Sequence, residues 1–206
     1  MSHMKTLVNI IAATVCLAPS MASAEKLSLD QISAYLNGLV SAKGGFTQVN
    51  PDNTLSKGSF MIKRPGRMRF EYAQPNPALV VASSGQIAIF DKKSTAGPQG
   101  FPLGKSPLAI ILKKDVNLKT SGLIMSHSAQ GPLTKVTAQD PEHPDYGKIQ
   151  LVFTADPVEL RQWISTDQTG QKTTVILGDL DKSVHLPESL FDIDQIAIDL
   201  GQRTDR

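Results

Sequence analysis

The chain has 206 residues, 40% of them hydrophobic, with 21 basic against 19 acidic side chains and one cysteine. That near-balance of charge excludes a strongly basic nucleic-acid binder and a polybasic membrane-surface protein. A lone cysteine excludes a disulfide framework and a zinc-thiolate cluster, so a hydrophobic core must stabilise the fold.

The first segment reads as a signal. Lys5 precedes TLVNIIAATVCLAPSMASA, an apolar run too interrupted to span a bilayer, which closes on the small-x-small pattern Ala22-Ser23-Ala24. Residues 1–24 are therefore expected to be a removed secretory signal peptide, cleaved after Ala24. Val15 stands where a lipidation site at Cys16 needs a small residue, so the mature chain is expected to be soluble and cysteine-free. Residues 25–206, roughly 180 in number, suit a single domain.

Ser28 and Gln31 form a capping-box pattern. Leu29, Ile32, Leu36, Leu39 and Val40 then recur at three- and four-residue steps, which predicts an amphipathic helix. From Phe46 the period changes to two. Short strands are predicted near 45–50, 57–64, 67–73, 78–83 and 86–91, separated by turn residues and spaced for consecutive antiparallel pairing. Within GSFMIKRPGRMRFEY, Phe60, Ile62 and Arg64 share one parity before Pro65-Gly66, and Met68, Phe70 and Tyr72 share one after it. Arg64 thus stands in line with an apolar row. The opposite parity carries Ser59, Lys63, Arg67, Arg69 and Glu71, with Met61 the apolar exception, which predicts a solvated face.

The hairpin PALVVASSGQIAIFD is apolar on both parities, so cover is expected on both faces. Leu79, Val81, Ile87 and Ile89 form one set; Val80, Ala82, Ala88 and Phe90 form the other. STAGPQGFPLGKSP then breaks the sheet pattern. Ser106-Pro107 supplies an N-cap and a first-turn proline for LAIILKK, a short helix over 107–113 whose apolar surface wraps nearly every side. It is read either as a core helix or as a mobile plug over an apolar cavity. Strands resume near 117–127, 131–138, 147–155, 159–166 and 171–180. About ten strands with two helical insertions predict a curved antiparallel sheet or incomplete barrel. The tail from Asp199 is polar and expected to fray.

No catalytic constellation is expected. His127, His143 and His185 lie outside metal-ligand spacing, and no nucleophile-elbow pattern accompanies them. DLDKSVHLPESL begins like a calcium loop but has Val184 and Leu190 where glycine and glutamate are required. Asp192 and Asp194 alternate in LFDID as a possible carboxylate pair, a solvent face being the simpler reading. No cofactor and no metal are expected.

GGFTQ at 44–48, KGSFMIKRPGRMRFEY at 57–72, the turn SSGQ before an apolar strand, and GKSPLAIIL at 104–112 come in one order and spacing. Together they resemble the periplasmic outer-membrane lipoprotein carriers, the LolA family, over residues 27–195. The resemblance implies a mostly β fold, an unclosed antiparallel β-barrel with an α-helical lid over an apolar cavity. It implies a carrier that shields lipoprotein acyl chains between an inner-membrane ABC transporter and an outer-membrane acceptor lipoprotein. The expected partners are those proteins and lipidated cargo, with no nucleic acid, and the expected state is a monomer.

The family's lid-holding arginine maps onto Arg64, although a strand-end arginine also snorkels to solvent without any such role. A cavity aromatic of the family maps onto Met68, a departure in a chain with only 5% aromatic residues. The residues expected to line the cavity are Phe60, Ile62, Met68, Phe70, Leu79, Val81, Ile87, Ile89, Leu108, Ile111 and Leu112. A lipid- or lipoprotein-sensing module of the same fold, or a periplasmic lipid or glycan hydrolase, are the alternatives.

Overall fold

The computed structural model describes residues 25–202; the signal segment, Cys16 and the Ala22-Ser23-Ala24 site lie outside the described residues. Helix α1, Leu29–Gly38, begins as its sequence requires. The Gln31 N–H donates to Ser28 Oγ at 3.1 Å and the Ser28 N–H to Gln31 Oε1 at 2.8 Å, two first-turn donors satisfied reciprocally. Its stripe of Ile32 and Leu36, continued by Leu39, is buried, whereas Val40 is exposed in the turn that follows.

Among the described residues eleven strands form one antiparallel sheet. They are β1 Ser41–Val49, β2 Leu55–Lys63, β3 Arg67–Tyr72, β4 Ala78–Ser83, β5 Gln86–Asp91, β6 Gln99–Pro102, β7 Ile124–Gln130, β8 Leu133–Gln139, β9 Lys148–Ala155, β10 Val158–Thr166 and β11 Lys172–Leu177. Two meanders, β1 to β6 and β7 to β11, join where β1 pairs with β11 through Phe46 and Leu177. Strands β6 and β7 end the sheet and do not pair with each other, so it stays unclosed. Strand β6 was not expected: its four residues, two of them Gly100 and Pro102, carry no readable alternation.

Ring contacts reveal the curvature. Strands β3 and β10 are four steps apart in the sheet, about 19 Å if it were flat, yet the rings of Phe70 and Trp163 lie 6.0 Å apart and those of Phe60 and Trp163 6.5 Å apart. The sheet must curl with this face inward. Gly58 helps it do so: a Cβ there would meet Glu71 O at 2.0 Å and the Phe46 ring at 2.8 Å, so only glycine lets the cross-strand Phe46 ring lie over it.

Two apolar layers result. The larger joins the concave face to α1 and to α2, Ala109–Leu112. The smaller joins Leu79, Val81, Ala88 and Phe90 on the convex face to Leu186, Phe191, Ile196 and Ala197 of the C-terminal segment. That segment comprises a 3-10 turn, Glu188–Phe191, and helix α3, Ile193–Asp199. Asp192 does not pair with Asp194 on a strand; its carboxylate accepts from the Gln195 N–H at 3.0 Å and caps α3. Nor does the chain fray at Asp199. Gln202 is buried and its amide donates to Asp91 O and Ser94 O at 2.7 and 3.0 Å.

The expected solvated face of β2 and β3 is therefore a docking face. Lys63 donates to Leu186 O at 2.6 Å and pairs with Glu188 at 2.6 Å; Arg67 also pairs with Glu188; Arg69 donates to Leu190 O at 2.8 Å. Met61 packs into the convex cluster beneath them. Removing Arg69, whose side chain is largely buried, is expected to cost about 1–2 kcal/mol, since it strips a charge-assisted bond from the Leu190 carbonyl. Removing the more exposed Arg67 should cost about 0–1 kcal/mol. Denaturant melts of Arg69→Ala and Arg67→Ala, with amide exchange over 186–202, check this: faster exchange should be confined to that segment.

Candidate functional site: a lidded concave face clasped by Arg64

Cross-strand register builds the concave face. Ile62 pairs with Met68, Met68 with Ala82 and Ala82 with Ile87, forming one apolar row; Phe60, Phe70, Val80 and Ile89 form the next. Phe60, Ile62, Met68 and Phe70 are buried in the larger cluster, and Ile87 packs against it. Ile89 is half-buried on the same face by its pairing with Val80. Met68 keeps the volume of an inward position with a flexible thioether, and the aromatic work falls to Phe46, Phe60, Phe70 and Trp163.

Leu79 and Val81 are corrections: they face the convex side, under the C-terminal segment. The cause is the turn. Ser84 and Gly85 both take left-handed φ, 50° and 78°, and make a two-residue hairpin loop in which Leu79 opposes Phe90 and Val81 opposes Ala88. Odd positions before such a turn share a face with even ones after it. The three-residue connection at Pro65-Gly66 preserves parity instead, with Phe60 opposite Phe70.

Over the concave face lies α2. Ile110, Ile111 and Leu112 are buried against the sheet, and Leu108 packs beside them. Ser106 Oγ accepts from the Leu108 N–H at 3.2 Å in the turn before the helix, but the expected cap is not made: the regular helix starts only at Ala109, with Leu108 at the N-cap position and no side-chain cap, and is shorter than the expected 107–113. Its C-terminal end is tied down where Leu112 O accepts from the Gly66 N–H at 2.9 Å.

Arg64 ties the pieces together. Its guanidinium donates to Leu36 O at the end of α1 and to Lys113 O just after α2, with longer contacts of 3.4 Å to Asn37 Oδ1 and Lys114 O. Leu36 O already accepts from the Leu39 N–H at 3.2 Å and takes Arg64 as a second donor; it lies in the last turn of α1, whose negative pole favours a cation. Burial pulls the Arg64 pKa down, the nearby Asp115 charge opposing it, and the group remains cationic at neutral pH.

Asn37 adds a second clasp: its amide donates to Val116 O and its carbonyl accepts from the Val116 N–H, both at 2.9 Å. Ser33 Oγ accepts from the Leu118 N–H at 3.0 Å. Helix α1 is thus part of the cover, which the amphipathic stripe alone did not announce. Its start is pinned in turn by the Leu27 N–H to Thr134 Oγ1 at 3.0 Å and by His127 Nε2 against Leu27 O at 2.7 Å.

Other features hold little unspent chemistry. An open groove between the β1–β2 and β10–β11 turns is bordered by Asp52 and by Gly170 and Lys172. Hydrogen bonds from Thr54 and Thr169 hold the Asp52 and Asp167 carboxyls at those turns below the usual carboxylate range. Among the described residues no three metal-ligating side chains converge. His143 stacks on Tyr146 at 4.6 Å.

Residues 37–194 match the family model described as outer membrane lipoprotein carrier protein LolA. An outer-membrane lipoprotein carrier protein of Cupriavidus pinatubonensis is 26% identical over 198 residues, covering 91% of this chain and 92% of the relative. One from Dechloromonas aromatica is 27% identical over 204 residues, covering 92% and 93%. The crystal structure of a LolA superfamily protein from Nitrosomonas europaea aligns at 9% identity with a TM-score of 0.43, covering 82% of this chain and 99% of that one. With a family match across most of its length, the chain belongs to the LolA family of outer membrane lipoprotein carrier proteins.

Proposed function

We propose that this protein is a periplasmic carrier that shields the acyl chains of lipoproteins and delivers them to the outer membrane. The observation that carries this reading is the concave apolar face sealed by α1 and α2, whose cover is held by polar contacts from Arg64 rather than by apolar packing alone. Exposing one chain of some 15 methylenes to water costs on the order of 12 kcal/mol at about 0.8 kcal/mol per methylene, so unaided transfer would be very slow. A carrier must cover that surface and still let go. Two states of similar energy meet both demands, and a cover released by breaking a few hydrogen bonds supplies them.

On this reading cargo is received from an inner-membrane ABC transporter of the lipoprotein-releasing type and handed to an outer-membrane acceptor lipoprotein. The protein works as a single-domain monomer over residues 25–206, without nucleic acid, cofactor, metal or catalytic step. It reaches the periplasm through a signal cleaved after Ala24. Mass spectrometry of the protein purified from its native host tests the whole: the expected result is a mass beginning at Glu25 with intact lipidated peptides bound. Free fatty acid or a cleaved product would instead support a hydrolase, stable occupancy without handover a sensing module, and a diacylglyceryl adduct on Cys16 would overturn the soluble carrier.

A further inference from the structure

Among the described residues three buried side-chain polar atoms lack a hydrogen-bond partner: Arg64 Nε, Gln202 Oε1 and Tyr35 Oη. Arg64 and Gln202 spend their other atoms on backbone carbonyls. Tyr35 has only the one polar atom, and it is the unpartnered one. Phenylalanine would fill the same space with no buried donor to leave unsatisfied, so the hydroxyl is a cost to the closed protein.

Its surroundings give that cost a use. Tyr35 is on α1, next to Leu36, whose carbonyl Arg64 holds, and it packs against the concave cluster with its ring edge-on to Phe153 at 5.8 Å. The Lys182 ammonium lies 5.0 Å from the ring centroid and reaches Glu159 at 3.3 Å; their side chains are 42% and 24% exposed, which places the border with solvent beside the ring. The hydroxyl therefore sits just inside the apolar face at its rim. Hydrocarbon offers it no acceptor. The one acceptor that an acyl chain brings to such a depth is the carbonyl of its own ester or amide linkage, which lies at the head of the chain.

We propose that Tyr35 Oη donates a hydrogen bond to the linkage carbonyl of bound acyl chains, so that the apolar face recognises acylated cargo and not hydrocarbon as such. This rests on the carrier reading. It makes Tyr35 a specificity-determining contact that rides on the cover: the donor is unpaired when the cover is shut and paired when cargo is seated, which favours the loaded state.

Displacement of a fluorescent apolar dye by methyl palmitate and by heptadecane, for wild type and Tyr35→Phe, tests it. Wild type is expected to bind the ester more tightly than the hydrocarbon. Tyr35→Phe should lose about three- to tenfold in ester affinity, the range for one hydrogen bond, with hydrocarbon affinity unchanged and thermal stability equal or higher. Unchanged affinity for both probes, or an equal loss for both, overturns the inference while leaving the carrier reading standing. If wild type binds neither probe, the carrier reading fails and this inference with it.

Discussion

Ile111→Glu is expected to abolish uptake of acyl chains while leaving the sheet folded. Ile111 is 2% exposed, at the centre of the α2 surface that covers the concave face. A carboxylate there would be buried in the apolar cluster of the concave face, and a buried charge costs several kcal/mol even when it escapes partly by taking up a proton. In the closed protein α2 would lift to put the charge in water. In the loaded protein the same charge would face hydrocarbon, which solvates it no better. The eleven-stranded sheet does not depend on α2 for its pairing, so far-ultraviolet circular dichroism should be retained. Ile111→Met, which conserves volume and polarity, should bind a fluorescent fatty acid nearly as wild type does, at a cost below about 1.5 kcal/mol. Unchanged binding by a folded Ile111→Glu protein would show that α2 is not the cover of the binding face.

Much of this arrangement was legible because alternation and helical stripes are direct consequences of burial. The capping box of α1, the five strands from Phe46 to Asp91 and the isolation of Arg64 at the end of an apolar row all follow from spacing. What was illegible has definite causes. Lys63, Arg67 and Arg69 read as a solvated face, since a charged side chain that bonds a backbone carbonyl or a carboxylate of a distant segment looks in sequence like one that faces water. The apolar clue was Met61, which belongs to the convex cluster. The face assignments of Leu79 and Val81 turned on whether the loop at Ser84-Gly85 has two residues, a choice that inverts parity across the hairpin. Phe46 and Trp163 converge with Phe70 from strands far apart in sequence, and only the curl of the sheet brings them together.

Arg64→Leu is expected to separate loading from release. Two charge-assisted hydrogen bonds, to Leu36 O and Lys113 O, hold α1 and the segment after α2 to the end of β2. Each is worth about 1.5–3 kcal/mol, but the arginine is 8% exposed and its own desolvation offsets part of that sum. The net loss should raise the open, binding-competent fraction by about one to two decades, and apparent affinity follows that fraction until the open state dominates. Acyl cargo should therefore bind at least as tightly as to wild type. Release should suffer, because closure drives cargo out only if the closed state has something to gain, and those two bonds are a large part of that gain. Arg67 and Arg69 are unsuitable controls, since both hold the C-terminal segment; Lys57→Ala, an exposed lysine on the same strand, removes a charge without touching the cover. Equilibrium binding run beside a transfer assay with purified acceptor distinguishes the outcomes. Weaker binding with an unchanged fraction transferred would make Arg64 a ligand or fold contact and overturn its role as the clasp, whereas tight binding with transfer reduced tenfold or more is the result the two carbonyl contacts lead one to expect.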